Sequence, residues 1–383
     1  MKIVIFTSTR ADSGIMAPIA RELTNREEFE VHALVTGTHL SDSFGHTLER
    51  ELSAWGPVVI HEVPMNQIEF SELGTAVALG NLQAELAGVI HALQPDLALV
   101  LGDRSEAVTF AFTCSILGVP IAHFHGGEIS LGALDELHRH AITKLSSLHF
   151  PADESAVKRI TQMGEQPDSI FFFGPLIADR MYADMSLTRE TLAKNFSFSW
   201  AEKTAIVTMH GAKFDNPSTS EHLDALFNAL DKIKNLNVIF TGPNSDPESQ
   251  DLRTAILQYC SKQSSKAFFV ESFGSGGYLR MLEICDVAIG NSSSLVHEAP
   301  FMGIPIVTLG SRQEGRGRSI SAGIGPDPIA IERGIRAALE ATGERAVVVF
   351  DGLAISTKIA EVIAATLPVT SKKIFWSDHE QPT

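Results

Sequence analysis

Short apolar runs alternate with segments of helical periodicity along the whole chain, and this alternation restricts the fold more than any other feature. Lys2 to Thr7, Val31 to Val35, Leu97 to Leu101 and Val119 to Phe124 read as strands, with helices from about Gly14 to Leu23 and from Leu73 to Leu93. Continuous runs of Val, Ile and Leu suit strands buried on both faces, so the pattern predicts a doubly wound parallel α/β sheet. Gly174-Pro175 punctuates the chain. The pattern then restarts with strands at Thr204 to Met209, Asn237 to Thr241, Ala267 to Val270, Val287 to Ile289 and Ile304 to Thr308. Helices are expected from about Ser220 to Ile233, Tyr278 to Ile284 and Ser356 to Thr366. At 383 residues the chain exceeds what one core usually holds. Two Rossmann-like domains facing a cleft are expected, over 1–174 and 175–367, with a polar tail at 368–383.

In such sheets the carboxyl ends of strands converge on a ligand. Two strand ends and a following helix carry dense acid–base chemistry: Gly102-Asp103-Arg104, His125-Gly126-Gly127-Glu128, and Asp135-Glu136-Leu137-His138-Arg139-His140. Each has a structural alternative. Asp103 and Glu106 have capping-box spacing. Asp135 and Arg139, four apart, suit an intrahelical ion pair. His123 and His125 alternate on a strand as zinc ligands might, but no third ligand follows at a fixed spacing, and no metal is expected.

In the second half, Ala288-Ile289-Gly290-Asn291-Ser292-Ser293-Ser294 runs from a strand through a small polar turn toward a helix from about Leu295. Backbone N–H groups and hydroxyls there suit a diphosphate, or simply a serine cap. Glu298, about a turn further on, falls outside the capping-box position; it either accepts from hydroxyls, as a ribose diol would supply, or is solvated helix surface. Arg312, Arg316 and Arg318 crowd a glycine-rich loop after a strand, and Arg10 ends the first strand; guanidinium forks match phosphate oxygens. Neither G-x-G-x-x-G nor G-x-x-x-x-G-K-[ST] occurs, so dinucleotide and P-loop readings are not supported.

The net charge of −16 disfavours nucleic acid as a partner. Three scattered cysteines suggest neither a disulfide framework nor a structural zinc, and a reducing cytoplasm is expected. The amino terminus reads as a strand rather than a signal peptide, and no stretch is expected to span a membrane.

Taken in order, several segments resemble the UDP-N-acetylglucosamine 2-epimerase family, and its hydrolysing branch more than its non-hydrolysing one. They are Thr9-Arg10-Ala11, Val35-Thr36-Gly37-Thr38-His39, Gly102-Asp103-Arg104, His125-Gly126-Gly127-Glu128, Asp135-Glu136, Arg139-His140, Ile142-Thr143-Lys144, Gly290-Asn291-Ser292-Ser293-Ser294, Glu298, and Arg312-Gln313 with Gly315-Arg316. The resemblance covers about residues 1 to 365. It implies a GT-B-like pair of domains, a nucleotide held mainly by the second, and a metal- and cofactor-free reaction. UDP leaves by anti elimination to a 2-acetamidoglucal, and water adds with the opposite configuration at C2, giving a mannosamine-type precursor of nonulosonic acids.

By resemblance, Asp103, Glu128 and Asp135 are the acid–base groups, with Arg139 and His210 as electrostatic or positioning partners. Arg10, Gly290, Asn291, Ser292, Ser293, Ser294, Arg312, Gln313, Gly315 and Arg316 would hold the nucleotide, and Glu298 its ribose. Two departures concern the sugar: Asp12 is followed by Ser13-Gly14 where the family has Tyr-Gly, and His210 by Gly211-Ala212-Lys213 where it has Pro. A 2,4-diacetamido-trideoxy sugar is therefore an alternative to N-acetylglucosamine. Non-hydrolysing epimerisation, a GT-B glycosyltransferase and a non-catalytic UDP-sugar sensor are the competing functions, and a homo-oligomer is expected.

Overall fold

The computed structural model describes residues 1–40, 52–65, 71–130, 134–179, 187–212, 216–243, 249–314, 323–341 and 354–373. Internal contacts divide the chain into two units. Unit 1 comprises Met1–Glu128, Asp135–Arg180 and Leu353–Thr383; unit 2 comprises Ile129–Leu134 and Met181–Gly352.

Unit 1 holds strands β1 (Lys2–Thr7), β2 (Glu30–Val35), β3 (Val59–Glu62), β4 (Leu97–Leu101), β5 (Ile121–Phe124) and β6 (Leu148–Phe150). They form one parallel sheet in the order β3-β2-β1-β4-β5-β6. Its helices are α1 (Arg10–Thr24), α2 (Glu72–Leu93), α3 (Ser105–Ile116), α4 (Asp135–Leu145), α5 (Glu154–Gln162) and, from the end of the chain, α12 (Ile355–Thr366). The direction of winding reverses between β1 and β4, the switch point where open sheets bind ligands.

Unit 2 repeats the scheme with β7 (Lys203–Thr208), β8 (Leu236–Thr241), β9 (Ala267–Val270), β10 (Val287–Gly290) and β11 (Ile306–Thr308) in the parallel order β11-β10-β7-β8-β9. Its helices are α6 (Arg189–Phe196), α7 (Thr219–Leu230), α8 (Ser249–Lys262), α9 (Gly274–Ile284), α10 (Ser294–His297) and α11 (Pro328–Glu340). Here the switch point lies between β7 and β10.

Each unit has its own core. In unit 1, Val4, Phe6, Val100 and Ile121 pack against Leu82, Leu86 and Ile90 of α2 and Phe110 of α3. In unit 2, Val207, Val238, Phe240 and Ile289 meet Leu226 and Leu230 of α7, Ile256 of α8 and Ile331 of α11. Burying each such side chain is worth about 1.5–3 kcal/mol, enough for each sheet to hold its helices in place.

The predicted α/β class and its central strands are all present. Three expectations change. The first unit extends past Gly174 to residue 180 and takes back the last helix, which the sequence had assigned to the second domain. The Asp179 carboxylate explains this, accepting from the backbone N–H groups of Ile355 (2.7 Å) and Ser356 (2.6 Å) and so capping α12, which packs on α1. Next, α2 is long and apolar enough to cross a membrane by length and composition, contrary to expectation. Its Ala78, Leu82, Leu86 and Ile90, spaced four apart, form a buried stripe in the core of unit 1, while 22% of its most apolar window is buried in all. Finally, the helix expected from Leu295 is a single turn, Ser294–His297, leaving little aligned dipole to attract an anion.

Candidate active site

In unit 1 the switch-point loops are built from the backbone outward. Thr9 caps α1 in a capping box with Asp12. The Asp12 carboxylate accepts from the backbone N–H of Ser8 (3.2 Å) and Thr9 (3.0 Å) and from Ser8 Oγ (3.0 Å). Burial raises its pKa, with the Arg104 charge opposing. Asp12 thus locks the turn that starts α1, at whose first position Arg10 stands half-buried. Behind it His39, fully buried with Nε2 2.9 Å from Thr7 Oγ1, has a pKa pulled down to about 4 by burial and by Arg10.

At the end of β4, Gly102 takes a positive φ of 78° and turns Asp103 out of the strand. The capping reading of Asp103 fails: the residue at the start of α3 is Arg104, which makes no side-chain cap. Asp103 instead meets Arg139 of α4, whose Nε donates to Asp103 Oδ2 at 3.1 Å while Nη2 reaches the same oxygen. Arg139 is fully buried, and its Nη1 donates to the Glu128 carbonyl (3.0 Å) and to Glu136 (3.1 Å). Its partner along the helix is therefore Glu136, three residues back, with Asp135 adding to the surrounding negative field. Burial disfavours the charge on Arg139, but Asp103 and Glu128 outweigh it and hold the guanidinium above its ordinary pKa.

The third loop follows β5. His125 adopts φ 61°, the left-handed region, so it does not continue the strand's alternation with His123 and shares no ligand face with it. Its Nδ1 lies 3.6 Å from Glu128 Oε1, and the Glu128 side chain is 2% exposed. Two glycines are required here. A Cβ on Gly126 would stand 2.7 Å from His123 Nδ1 and 2.9 Å from Thr143 Oγ1; on Gly127, 2.7 Å from the Ala156 carbonyl. Arg159 of α5 donates to the Gly127 carbonyl at 2.5 Å, completing the clasp on the loop.

His123 sits behind this group. Its Nε2 donates to the Gly102 carbonyl at 2.8 Å, which leaves Nδ1 to accept from Thr143 Oγ1 at 3.2 Å; that hydroxyl oxygen lies 3.0 Å from the Arg139 carbonyl. Burial drives its pKa down to about 3, so the neutral ring links the Asp103 turn to the Arg139 helix. The sequence offered His123 as a core histidine or, less often, a metal ligand, and gave no partner for it. Thr143 lay within a family motif, but with no role of its own.

In unit 2 the switch point joins β7 to β10. The Asn291 side chain pairs with the backbone of His210, accepting from its N–H (2.7 Å) and donating to its carbonyl (2.8 Å). Gly290 makes the approach possible: at φ 139° a Cβ would lie 2.0 Å from the Thr208 carbonyl oxygen. Arg312 Nη1 (3.1 Å) and Gln313 Nε2 (2.8 Å) donate to the Asn291 carbonyl, so these two residues, expected at the nucleotide, brace the loop. Gly315, Arg316, Arg318 and Lys213 lie outside the described residues.

The serines are tied together by hydroxyls. Ser294 Oγ is 3.0 Å from Ser292 Oγ and 2.6 Å from Tyr278 Oη, which reaches Thr208 Oγ1 (3.3 Å), itself 2.9 Å from Thr241 Oγ1. Ser293 stands half-exposed at the start of α10 without a side-chain cap bond. Glu298, half-buried, lies close enough for its charge to raise the Tyr278 pKa, after burial the next cause acting in that direction. Tyr278 appeared in the sequence only as the start of a helix; a buried tyrosine hydroxyl that needs a partner was the available signal.

Residues 21–364 match the family model described as UDP-N-acetylglucosamine 2-epimerase. The chain is 30% identical over 321 residues to the GDP/UDP-N,N'-diacetylbacillosamine 2-epimerase (hydrolyzing) of Campylobacter jejuni, covering 83% of this chain and 82% of that one. It is 31% identical over 318 residues to the UDP-N,N'-diacetylbacillosamine 2-epimerase (hydrolyzing) of Legionella pneumophila, covering 83% of each. The polysialic acid biosynthesis protein P7 of Escherichia coli is 29% identical over 339 residues, 87% of this chain and 85% of that one. Among solved structures, the Methanocaldococcus jannaschii UDP-GlcNAc 2-epimerase complexed with UDP-GlcNAc and UDP has the same fold, with a TM-score of 0.78 at 18% identity over 95% of this chain and 100% of that one. With two doubly wound units, carboxylates gathered on a buried arginine and a braced Gly-Asn-Ser-Ser-Ser loop, this chain belongs to the UDP-N-acetylglucosamine 2-epimerase family.

Proposed function

We propose that this protein is a hydrolysing 2-epimerase that converts a UDP-linked 2-acetamido sugar and water into UDP and the free sugar inverted at C2. A carboxylate removes the C2 proton as the C1–O bond to UDP breaks, leaving a glycal. Hydroxide from water then adds to C1 and a proton to the opposite face of C2. Two acid–base groups are needed, one for each face. The observation that carries this reading is the convergence of the Asp103 carboxylate, the Glu128 carbonyl and the first turn of α4 on buried Arg139, which ties three segments bearing candidate acid–base groups to one cation. Unit 1 supplies these groups, and unit 2 the braced loop at His210 and Asn291 for the diphosphate, where negative charge grows as UDP departs. Arg312, after β11, adds positive charge beside that loop, its Nη1 bonded to the Asn291 carbonyl.

The preferred sugar is the diacetamido one. The names of the Campylobacter and Legionella relatives and the Ser13-Gly14 and Gly211-Ala212 departures support it over N-acetylglucosamine. The product would serve synthesis of a nonulosonic acid such as legionaminic acid. Free thiols at Cys114, Cys260 and Cys285 support a cytoplasmic setting. Exposed Val77 of α2 and Phe112 and Ile116 of α3, on two helices packed together, support a homo-oligomer. The test is UDP release without any acceptor: release from the diacetamido donor supports the reading, whereas release only when an acceptor is added makes the protein a transferase. Light scattering on Ile116→Asp against the parent chain tests the assembly, which the substitution should weaken.

A further inference from the structure

Away from the reacting groups, unit 1 contains a second buried charge cluster, centred on Glu165, whose side chain is 2% exposed. Three elements meet on it. Lys144, in the last turn of α4, reaches Glu165 Oε1 at 2.5 Å and the Met163 carbonyl at 2.9 Å. His149 of β6 lies 3.1 Å from Oε2. Lys373, seven residues beyond the end of α12, lies 2.5 Å from the same oxygen. The Lys373 ammonium also donates to the carbonyls of Lys144 (2.9 Å) and Thr143 (3.4 Å). These belong to the group of carbonyls that a helix leaves without intrahelical partners at its C-terminal end, where a cation is favoured.

The helix held in this way is α4, which begins at Asp135 and carries Arg139. Thr143 relates the two ends: its carbonyl accepts from Lys373, and its hydroxyl lies 3.0 Å from the Arg139 carbonyl and 3.2 Å from His123 Nδ1. Lys373 therefore acts one helical turn from the guanidinium that grips Asp103. We infer that Lys373 is a positioning residue: by clamping the C-terminal end of α4 to Glu165, it sets where Asp135 and Arg139 stand relative to Asp103. The inference rests on the epimerase reading for its catalytic consequence, but not for the clamp itself.

A displacement of about 1 Å in a reacting group can cost about 10²-fold in rate. Lys373→Met should lower kcat by roughly 10- to 100-fold on that basis, with KM and UDP affinity unchanged because the loop of unit 2 is untouched. Amide exchange in the last turn of α4 should quicken, and Lys373→Arg, which keeps a cation at the clamp, should restore most of both properties. Should the methionine variant not fold, Lys373→Gln carries the same test. Unchanged kcat together with unchanged α4 exchange overturns the proposal. So does a loss of kcat that follows the melting temperature and vanishes on cooling, since this marks general destabilisation. If the parent enzyme releases UDP from neither donor, the epimerase reading fails instead, and α4 exchange alone decides the clamp.

Discussion

The guanidinium of Arg139 grips one oxygen of Asp103 with two of its nitrogens, across 36 residues of sequence. One cation thereby fixes a strand-end carboxylate, the Glu128 carbonyl and the helix that starts at Asp135. Arg139→Lys keeps the charge but loses the fork, so turnover should fall by roughly 10²-fold while UDP affinity holds. Arg139→Met removes the buried cation from the half-buried carboxylates of Asp103 and Glu136 and should cost about 1.5–3 kcal/mol of stability. Kinetics with UDP binding, and denaturant unfolding, read the two effects; lysine at the parental rate would mean that the fork has no role. In the same assays Asp103→Asn, Glu128→Gln and Asp135→Asn should each lower turnover by roughly 10²-fold or more if the group transfers a proton.

A second outcome concerns Gly126. Its missing side chain leaves room for the His123–Thr143 contact, and a methyl group there would meet both partners at under 3 Å. Gly126→Ala should destabilise unit 1 by about 1–3 kcal/mol, the usual cost of overpacking a tight core. Turnover should fall further than stability explains, because the Asp103 turn and α4 lose their common support. Unfolding midpoints and kcat measured on one preparation check this.

Tyr278 anchors the hydroxyl chain behind the Ser292–Ser294 loop. Tyr278→Phe removes its bonds to Ser294 and Thr208 and should cost about 1 kcal/mol of stability. UDP should bind several-fold more weakly, with kcat at saturation little changed. Calorimetric titration with UDP decides the matter; equal affinity would show that the network supports only the fold.

Acid should weaken the fold in two stages. His123 titrates at about 3 in the fold against 6.5 unfolded. The unfolded chain therefore binds the extra proton, and stability drops as pH falls below 6.5. Glu165 is lowered from 4.5 to about 2: burial opposes its charge, but His149, Lys144 and Lys373 more than compensate. Its contribution is fully present above 4.5 and lost as pH falls toward 2. Glu165→Gln should lower stability at neutral pH yet flatten the decline below 4.5, leaving the His123 contribution to the upper stage intact. Melting curves from pH 7.5 to 3 would show both stages, and a parallel decline in the variant would contradict the assignment.

The central strands were legible because sandwiched parallel strands need unbroken apolar runs, as in Ile3 to Phe6 and Leu97 to Leu101. The edge strands of unit 1 were not: β3 exposes Val59 and Ile60 and mixes in His61 and Glu62, while β6 is three residues long. Carboxylates at strand ends were visible for the same topological reason. What they touch was not, since helical spacing set Arg139 beside Asp135 and gave no sign of Asp103. The contacts of Lys373 with Glu165, and of Asn291 with His210, join segments that no local pattern relates.

The most direct measurement is proton NMR of the purified protein with UDP-N,N'-diacetylbacillosamine, and separately with UDP-N-acetylglucosamine, in D₂O. A hydrolysing 2-epimerase releases UDP with no acceptor present and yields a free sugar inverted at C2 that carries deuterium there. Inversion with UDP still attached would place the chain in the non-hydrolysing branch. Free UDP with C2 neither inverted nor deuterated would contradict the elimination and the acid–base roles given to Asp103, Glu128 and Asp135.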